Sequence, residues 1–363
     1  MKDDRKMTKI WFDVLTPKQT LFCNKIAQEL KVEGYEIAYT TREYPEAQGE
    51  LNLLGLQAAV IGRHGGVDQF EKLLASAERV VELTRHVKQL KADVAFSFAS
   101  PESARVAFGL GIPYFTANDS PHSYFVAKLT IPFAEILFTP WFMKQAWRKL
   151  DVPNRKIITY NALDPVAWLQ NFKPDRKVLD AVGINPRTEY VVIRPEEAQA
   201  SYLSGKVDEQ SPVAIPVIER ILGKFPNLKI IVLCRYKDQR KVMREHFGKQ
   251  IIVPDKVVDA QSLISLSTLL VGAGGTMNQE ACLLGIPVIS CYPGNQLEVE
   301  SFLIKEKLLY RIRDPGEAAD KAEEILKNRQ QFHKFHSERA RNLFAKMENP
   351  AQVIASYILK YNT

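Results

Sequence analysis

The segment that decides the fold is Leu270–Gly294, which reads Leu-Val-Gly-Ala-Gly-Gly-Thr-Met-Asn-Gln-Glu-Ala-Cys-Leu-Leu-Gly-Ile-Pro-Val-Ile-Ser-Cys-Tyr-Pro-Gly. A buried strand is predicted to end at Gly272, and a turn of small residues follows it. Thr276 is expected to cap a helix that begins at Met277 and stops at Gly285. A strand, a glycine turn and a helix in this order are typical of a doubly wound α/β sheet.

The same turn is a candidate binding site for a nucleoside diphosphate. Backbone N–H groups at a helix N-terminus bind anions, and Gly274, Gly275 and Thr276 would allow a diphosphate to approach closely. Glu280 lies one turn further along, where its carboxylate can accept hydrogen bonds from both hydroxyls of a ribose. The alternative is a plain tight turn with Glu280 on the surface. The later Gly-Ile-Pro and Tyr-Pro-Gly steps favour the nucleotide site, because together they are more specific than two glycines alone.

Outward from this segment, short apolar runs alternate with amphipathic stretches along the chain, which predicts parallel strands joined by right-handed helical crossovers. In the first half the predicted strands are Ile10–Leu15, Glu36–Thr41, Ala58–Ile61, Val94–Phe98, Pro113–Thr116, Ile136–Thr139 and Ile157–Tyr160. In the second half they are Tyr190–Arg194, Lys229–Leu233, Ile251–Val253, Leu269–Gly272 and Val288–Cys291.

Several helices are predicted from the same periodicity. They are Gln19–Lys31, Phe70–Leu90, Val213–Lys224, Gln239–Phe247, Ala260–Ser265, Met277–Leu284 and Pro350–Tyr361. In Phe70–Leu90 the apolar stripe of Leu73, Leu74, Ala77, Val80, Val81 and Leu83 is expected to face the core. The helix Pro350–Tyr361 has no strand after it and needs an apolar surface, which either half of the chain would supply.

The alternation fails over Asp164–Thr188, which is rich in proline and charge. We therefore predict two doubly wound Rossmann-like domains facing across a cleft, at residues 1–165 and 188–345. Residues 166–187 are the predicted linker, and residues 346–363 form the C-terminal helix. Open α/β sheets bind ligands at the carboxyl ends of their strands, so a ligand is expected there.

Composition excludes several classes of protein. Of the 363 residues, 46% are hydrophobic and 25% are charged, which is the balance of an ordinary globular protein rather than a disordered one. We expect no membrane span and no signal peptide, and the four cysteines have no metal-binding spacing, so the expected location is cytoplasmic. The net charge of +7 is spread along the chain, which favours anionic ligands weakly and does not indicate nucleic acid.

Seven short stretches carry a resemblance to a known fold family. Leu270–Gly294 resembles the donor-nucleotide signature of glycosyltransferase-B-fold proteins, which include UDP-N-acetylglucosamine 2-epimerases and MurG-type transferases. More closely, the chain resembles a largely archaeal family of domains of unknown function assigned to that fold. The matching stretches are Asp13–Gln19, Gly62–Gly66, Ser100–Pro113, Asn118–His122, Thr139–Trp141, Arg194–Glu196 and Ala273–Ala281.

For the second domain, the resemblance implies a nucleotide-sugar site, with the UDP-sugar as a substrate and no separate cofactor. Glu280 would hold the donor ribose, and the turn Gly274–Thr276 would touch the diphosphate. Arg194 would bind phosphate at the end of a strand, where a guanidinium can pair bidentately. Gln296 matches the position where transferases contact donor sugar hydroxyls. A surface arginine and a polar loop residue are the respective alternatives.

For the first domain, the resemblance implies an acceptor site and the acid–base groups. Asp119 and His122 follow a strand end and are spaced so that they can share a proton, since histidine titrates near neutral pH. Asp13 ends the first strand and is a third catalytic candidate. No metal is expected, because the histidines have no metal-ligand spacing on a helix.

Two further stretches of this domain are candidates for substrate binding. Lys18 follows the first strand, where it would bind an anion. Gly65 and Gly66 lie between a strand and a helix, so they would meet a phosphate; the alternative is a flexible turn.

Three functions are weighed. The leading hypothesis is a glycosyltransferase that transfers a sugar from an NDP-sugar, with UDP expected, to an unknown acceptor. The alternative is a 2-epimerase, although Arg194-Pro-Glu and Asn118-Asp stand where epimerases carry a histidine motif and a Glu-Ala-Gly motif. A non-catalytic nucleotide-sugar-binding protein is the third class. A homodimer and a peripheral contact with a membrane stay open.

Overall fold

The computed structural model describes residues 8–196 and 214–361, and its chain divides into two compact units. Met1–Gln170 and Glu348–Thr363 form the first unit, and Asn171–Met347 forms the second. Each unit is an α/β structure built on a parallel sheet, so the predicted two-domain α/β class is confirmed.

The first unit is organised around a central strand with neighbours on both sides. Among the described residues its sheet has seven parallel strands in the order β3-β2-β1-β4-β5-β6-β7. They are β1 Lys9–Asp13, β2 Glu36–Glu43, β3 Ala59–Arg63, β4 Val94–Ser97, β5 Tyr114–Ala117, β6 Ile136–Pro140 and β7 Ile157–Tyr160. Strands β4, β5 and β6 are buried throughout, as expected for strands covered on both faces. Successive strands are added on one side of β1 up to β3 and on its other side from β4 onward, and open α/β sheets bind ligands where the strand order reverses in this way.

The helices of this unit begin at the residue types expected for helix starts. They are α1 Pro17–Val32, α2 Pro45–Leu53, α3 Gln69–Leu90, α4 Pro101–Leu110, α5 Tyr124–Thr130, α6 Lys144–Lys149 and α7 Val166–Leu169. Helices α1, α2 and α4 start with proline, and the side chains of Thr16, Asp68 and Ser100 cap α1, α3 and α4. These capping residues fix where α1, α3 and α4 begin, and therefore where the loops that follow β1, β3 and β4 end.

Helix α3 buries a face that overlaps the predicted one only in part. Its buried residues are Ala75, Arg79, Leu83 and Val87, whereas Leu73 is 70% exposed. The prediction is confirmed for Leu83 and wrong for Leu73, because it excluded the charged Arg79 from the core. A buried charge is stable when a buried partner neutralises it, and Arg79 has such a partner in Asp13.

The second unit has a smaller parallel sheet. In the described part of the chain its strand order is β12-β11-β10-β8-β9. The strands are β8 Tyr190–Arg194, β9 Lys229–Val232, β10 Leu270–Gly272, β11 Val288–Ser290 and β12 Tyr310–Arg311. The helices are α8 Lys177–Ala181, α9 Ala214–Lys224, α10 Lys237–Phe247, α11 Ala260–Ser265, α12 Thr276–Leu283, α13 Glu298–Lys305, α14 Pro315–Lys327 and α15 Arg329–Phe344. Apolar side chains of β8, β9 and β10 pack against α9 and α14 to form its core.

Two strands of this unit differ from the prediction, and the start of one predicted helix is not described. Ile251–Val253 was predicted to be a strand, but only Ile252 forms a bridge, with Ile231. Three apolar residues before a proline are too few to extend the ladder. The short β12 was not predicted. Val213, the predicted first residue of α9, lies outside the described residues.

The predicted linker and the final helix both belong to compact structure. Residues 166–187 are divided between the units at Gln170, because α7 buries its side chains in the first unit and α8 buries Val178 and Leu179 in the second. The last helix, α16 Pro350–Tyr361, belongs to the first unit. Its Tyr357 ring lies 5.5 Å from the Phe138 ring of β6. No helix within residues 8–196 and 214–361 is long and apolar enough to cross a membrane.

Candidate functional site

The glycine turn of the second unit leaves the start of a helix open. Gly274 and Gly275 have φ angles of +87° and +83°, which favour glycine. Gly275 is exposed and is the N-cap of α12, and as a glycine it has no side chain that could accept a hydrogen bond from the first turn. Thr276 was predicted to be the helix cap, and this is wrong. Gly275 takes the cap position, so Thr276 is the first residue of the helix. The N–H groups of this first turn are arranged to meet an anion.

Buried amide side chains lie directly under this turn. Both amide atoms of Asn278 and Oε1 of Gln279 are buried without a hydrogen-bond partner among the described residues. A Cβ at Gly272 would lie 2.1 Å from Oδ1 of Asn278, so glycine is required at the strand end. A buried polar atom without a hydrogen-bond partner lowers the free energy of unfolding, so few such atoms occur in folded proteins, and three of them lie in the first turns of this helix.

Glu280 is buried rather than exposed. Only 2% of the residue is exposed, and Oε1 accepts a hydrogen bond of 2.8 Å from Nε2 of Gln261 on α11. This bond orients the carboxylate from a neighbouring helix, a contact that the sequence did not indicate. A ligand hydroxyl that bonds to Glu280 would be shielded from water, which strengthens such a bond.

Arg194 lies beside the turn at the end of the neighbouring strand. Strands β8 and β10 pair so that Arg194 is opposite Gly272, and the Ala273 N–H donates to the Arg194 carbonyl at 3.1 Å. The guanidinium of Arg194 donates a 2.5 Å hydrogen bond to the Leu233 carbonyl. The structure thus brings Arg194 and the glycine turn together at one edge of the sheet.

The loop after β11 borders the same turn. A Cβ at Gly274 would lie 3.0 Å from the ring of Tyr292, so this ring lies against the turn. Arg311 donates to the Gly294 carbonyl at 2.6 Å and holds the loop. Gln296 is exposed at the end of the loop, and its Nε2 donates to Oγ of Ser301 at 2.8 Å.

In the first unit, Asp13 is enclosed by partners. It is fully buried and accepts two hydrogen bonds from the Arg79 guanidinium, 2.6 and 3.0 Å long. Thr40 and Ser100 donate to the same carboxylate at 2.6 and 2.7 Å. Burial alone would raise the pKa of Asp13, but Arg79 and these donors lower it. A sealed carboxylate of this kind does not fit the expected catalytic role, because it has no route to a substrate proton. Sequence reasoning missed Arg79.

A second cluster surrounds Lys18 in the first turn of α1. Its Nζ lies 2.6 Å from Oδ2 of Asp119, which follows β5, and 2.7 Å from Oδ2 of Asp164, which follows β7. It also lies 4.3 Å from the centre of the Phe98 ring. Two carboxylates already neutralise this ammonium, so the expectation that Lys18 binds a substrate anion does not fit the geometry. Asp164 was missed because Asp164-Pro165 matched the start of a linker.

The two acids of this cluster differ in their surroundings. Burial raises the pKa of Asp164, which is fully buried, to about 6. Burial would also raise the pKa of Asp119, but the Lys18 ammonium outweighs it and lowers this pKa. The charge of His122, which is half-buried, lowers it further, so His122 is close enough to interact with Asp119. Asp119 keeps 7% of its side chain exposed, so it is the acid that a substrate can reach.

Gly65 and Gly66 have structural reasons for being glycine. A Cβ at Gly65 would lie 2.4 Å from Cα of Lys72 in the first turn of α3, so the turn packs directly on the helix. The Gly66 N–H donates to Nδ1 of His64 at 3.1 Å. The close packing explains Gly65, and a φ of +70° explains Gly66, so neither glycine requires a ligand.

Solved structures from two classes of enzyme are similar to this chain. The UDP-GlcNAc 2-epimerase from Neisseria meningitidis bound to UDP-GlcNAc is 14% identical, with a TM-score of 0.74 over 97% of this chain and 100% of that one. The spinosyn forosaminyltransferase SpnP is 11% identical, with a TM-score of 0.64 over 99% of this chain and 100% of that one. At identities this low the likeness establishes the fold, which is that of UDP-GlcNAc 2-epimerases and glycosyltransferase-B proteins.

The family is established by sequence. The chain belongs to the family described as "Protein of unknown function (DUF354)", whose model matches residues 8–358. The uncharacterized protein MJ0665 of Methanocaldococcus jannaschii is 31% identical over 325 residues, which cover 88% of this chain and 92% of that protein. The resemblance stated from the motifs is thereby confirmed.

Proposed function

We propose that this protein is an enzyme that acts on a UDP-linked sugar, and that its second unit binds the nucleoside diphosphate. The observation that carries the proposal is the helix start at Thr276, which follows two glycines with positive φ and whose N-cap residue, Gly275, has no side chain to bond the first-turn N–H groups. Anions bind at such helix starts because the N–H groups and the helix dipole both favour negative charge. Arg194 adds a guanidinium at the adjacent strand end.

The roles of the other residues follow from their positions. Glu280, oriented by Gln261, would accept hydrogen bonds from the ribose hydroxyls. Both amide atoms of Asn278 and Oε1 of Gln279, which have no partner among the described residues, are further candidates to bond the ligand, because binding would satisfy buried polar atoms. UDP is proposed as the nucleotide because the structurally similar Neisseria enzyme was solved with UDP-GlcNAc.

The reaction we propose is glycosyl transfer. Asp119 takes the proton of an acceptor hydroxyl, whose oxygen forms a bond to the anomeric carbon of the sugar. The bond from that carbon to the diphosphate oxygen breaks, and UDP leaves with the electron pair. The turn Gly274–Thr276 and Arg194 would stabilise the charge that develops on the diphosphate. A lowered pKa keeps Asp119 ionised at neutral pH and therefore able to accept the proton.

A 2-epimerase is the second candidate, and one observation favours it. The TM-score to the Neisseria 2-epimerase, 0.74, is higher than that to the transferase SpnP, 0.64. An epimerase would release no UDP in response to an acceptor, so the two reactions differ in their products.

The nucleotide site is tested by thermal unfolding with UDP. A ligand that binds only the folded protein stabilises it by about 2.7 kcal/mol at a concentration of 100 times its Kd. We expect Glu280→Ala to abolish the shift in melting temperature. Glu317→Ala is the matched control, because Glu317 is an exposed glutamate in the first turn of α14 in the same unit. If the shift survives in Glu280→Ala, the ribose assignment is wrong.

The reaction is tested by incubating the protein with UDP-sugars and analysing the products. UDP released only when an acceptor is present supports transfer. A sugar inverted at C2 supports epimerisation and refutes transfer. Binding of UDP without turnover of any UDP-sugar refutes both enzymatic proposals.

A further inference from the structure

The cluster around Lys18 contains a second carboxylate, that of Asp164, which has no role in the proposed reaction. Lys18 has three N–H donors, and it has three partners: the carboxylates of Asp119 and Asp164 and the face of the Phe98 ring. Asp164 is fully buried, and its Oδ1 accepts a hydrogen bond of 2.5 Å from the Tyr160 hydroxyl. Asp164 therefore reaches a substrate only through Lys18 and Asp119.

We propose that Asp164 is a positioning residue that sets the basicity of Asp119 through the ammonium group they share. The inference rests on the proposed function, in which Asp119 accepts the acceptor proton. It goes beyond that function because it assigns the pH dependence of the reaction to a residue that touches no substrate.

The charges of the cluster explain how the coupling works. With Asp164 ionised, two carboxylates share one ammonium, so each receives less stabilisation and Asp119 is the stronger base. With Asp164 protonated, Lys18 pairs with Asp119 alone, which makes Asp119 a weaker base. The rate then falls below about pH 6 although Asp119 stays ionised.

The other groups near Asp164 do not change the direction of this coupling. Lys18 on α1 and Asp119 after β5 are its charged neighbours, and Tyr160 on β7 is its hydroxyl donor. The Tyr160 pKa is raised well above its ordinary value, so this hydroxyl stays protonated over the range of interest. A positive charge on His122 would lower the pKa of Asp119. A His122→Gln variant therefore accompanies the measurements, so that any effect of this side chain on Asp119 is separated from that of Asp164.

The first experiment measures kcat and KM against pH for wild type, Asp164→Asn and Tyr160→Phe. Asp164→Asn keeps the shape of the side chain and removes its charge. We expect it to lose the acid limb near pH 6 and to lower kcat at pH 8 about three- to tenfold, with KM for the UDP-sugar unchanged within about twofold. Tyr160→Phe removes a donor to the ionised carboxylate, so the limb should move to higher pH. An unchanged limb in both variants overturns the proposal.

The matched control for the tyrosine variant is Tyr190→Phe. Tyr190 is a buried strand tyrosine of the second unit whose hydroxyl donates to the Leu263 carbonyl at 2.8 Å. It lies outside the cluster, so its loss should leave the position of the acid limb unchanged.

The second experiment needs no turnover and separates this inference from the proposed function. Carbon-13 NMR of aspartate carboxyl carbons should show one signal with a titration step near pH 6 that Asp164→Asn removes. The Asp119 signal, identified by its loss in Asp119→Asn, should show a smaller step at the same pH in wild type and none in Asp164→Asn. If Asp119 shows no step near pH 6, the coupling is refuted. If the step is present but no UDP-sugar is turned over, the coupling stands and the proposed function fails.

Discussion

Replacing Arg79 by methionine should destabilise the first unit more than any exposed substitution on the same helix. Arg79 donates hydrogen bonds to both oxygens of Asp13 and to the Ile61 carbonyl, and 1% of it is exposed. Methionine keeps the apolar stem but leaves the Asp13 carboxylate buried without a counter-charge. Breaking a buried ion pair in this way costs about 3–5 kcal/mol. That is a large part of the 5–15 kcal/mol by which domains are stable, so the variant should be close to unfolding.

Urea unfolding followed by tryptophan fluorescence measures this loss in the first unit alone. All four tryptophans of the chain, Trp11, Trp141, Trp147 and Trp168, lie within Met1–Gln170. Unfolding of the second unit therefore adds no tryptophan signal of its own, and a single transition yields the free energy of unfolding.

Two further variants make the measurement decisive. Arg85→Met changes an exposed arginine of the same helix and should cost less than about 0.5 kcal/mol. The double variant Asp13→Asn with Arg79→Met removes the uncompensated charge and should recover part of the loss. A cost below about 1 kcal/mol for Arg79→Met alone would refute the view that this ion pair stabilises the sheet.

Three other outcomes follow from the same contacts. Folding lowers the pKa of Asp13, so the ionised carboxylate contributes to the free energy of unfolding at pH values above its ordinary pKa of 3.8, and this contribution is lost as the pH falls through the lower pKa of the folded state. The urea concentration at the unfolding midpoint of the first unit should therefore fall when the pH drops below about 4, and it should fall less in Asp13→Asn. Gly274→Ala should weaken UDP binding more than Gly275→Ala, measured by calorimetric titration, because both have positive φ but only Gly274 would place its Cβ 3.0 Å from the Tyr292 ring. Asn278→Leu should raise the calorimetric stability of the second unit by about 1 kcal/mol while lowering its affinity for UDP, because it removes two buried polar atoms without partners.

The parts of the fold that the sequence predicted are those determined by local pattern. Each strand predicted between Ile10 and Tyr160 overlaps a strand of the structure, because short apolar runs bounded by turns have few other solutions in an α/β protein. The start of α12 at the glycine turn was predicted to within one residue for the same reason. The error at Ile251–Val253 also follows, since three apolar residues satisfy the pattern without having a neighbour to pair with over their length.

The parts that the sequence did not predict depend on polar partners distant along the chain. Arg79 and Asp13 are 66 positions apart, and no periodicity connects a charged residue on a helix with an acid at a strand end. Asp164 was not singled out because the alternation of strands and helices ends there, before a proline, and only the folded sheet brings the end of β7 near the first turn of α1. Hydropathy identifies what is buried, whereas charge pairing inside a core is decided by tertiary geometry.

The two acidic clusters of the first unit differ in a way that separates a stabilising role from a chemical one. Asp13 has a bidentate arginine and two hydroxyl donors, and these lower its pKa, so it stays ionised over the whole neutral range. Burial, together with the charge of Asp119, which shares the single positive charge of Lys18, raises the pKa of Asp164 to about 6. Selection for stability alone would favour one carboxylate for the one ammonium, because a second buried carboxylate without its own counter-charge lowers the free energy of unfolding. A surplus carboxylate beside a partly exposed one is therefore better explained by proton transfer than by folding.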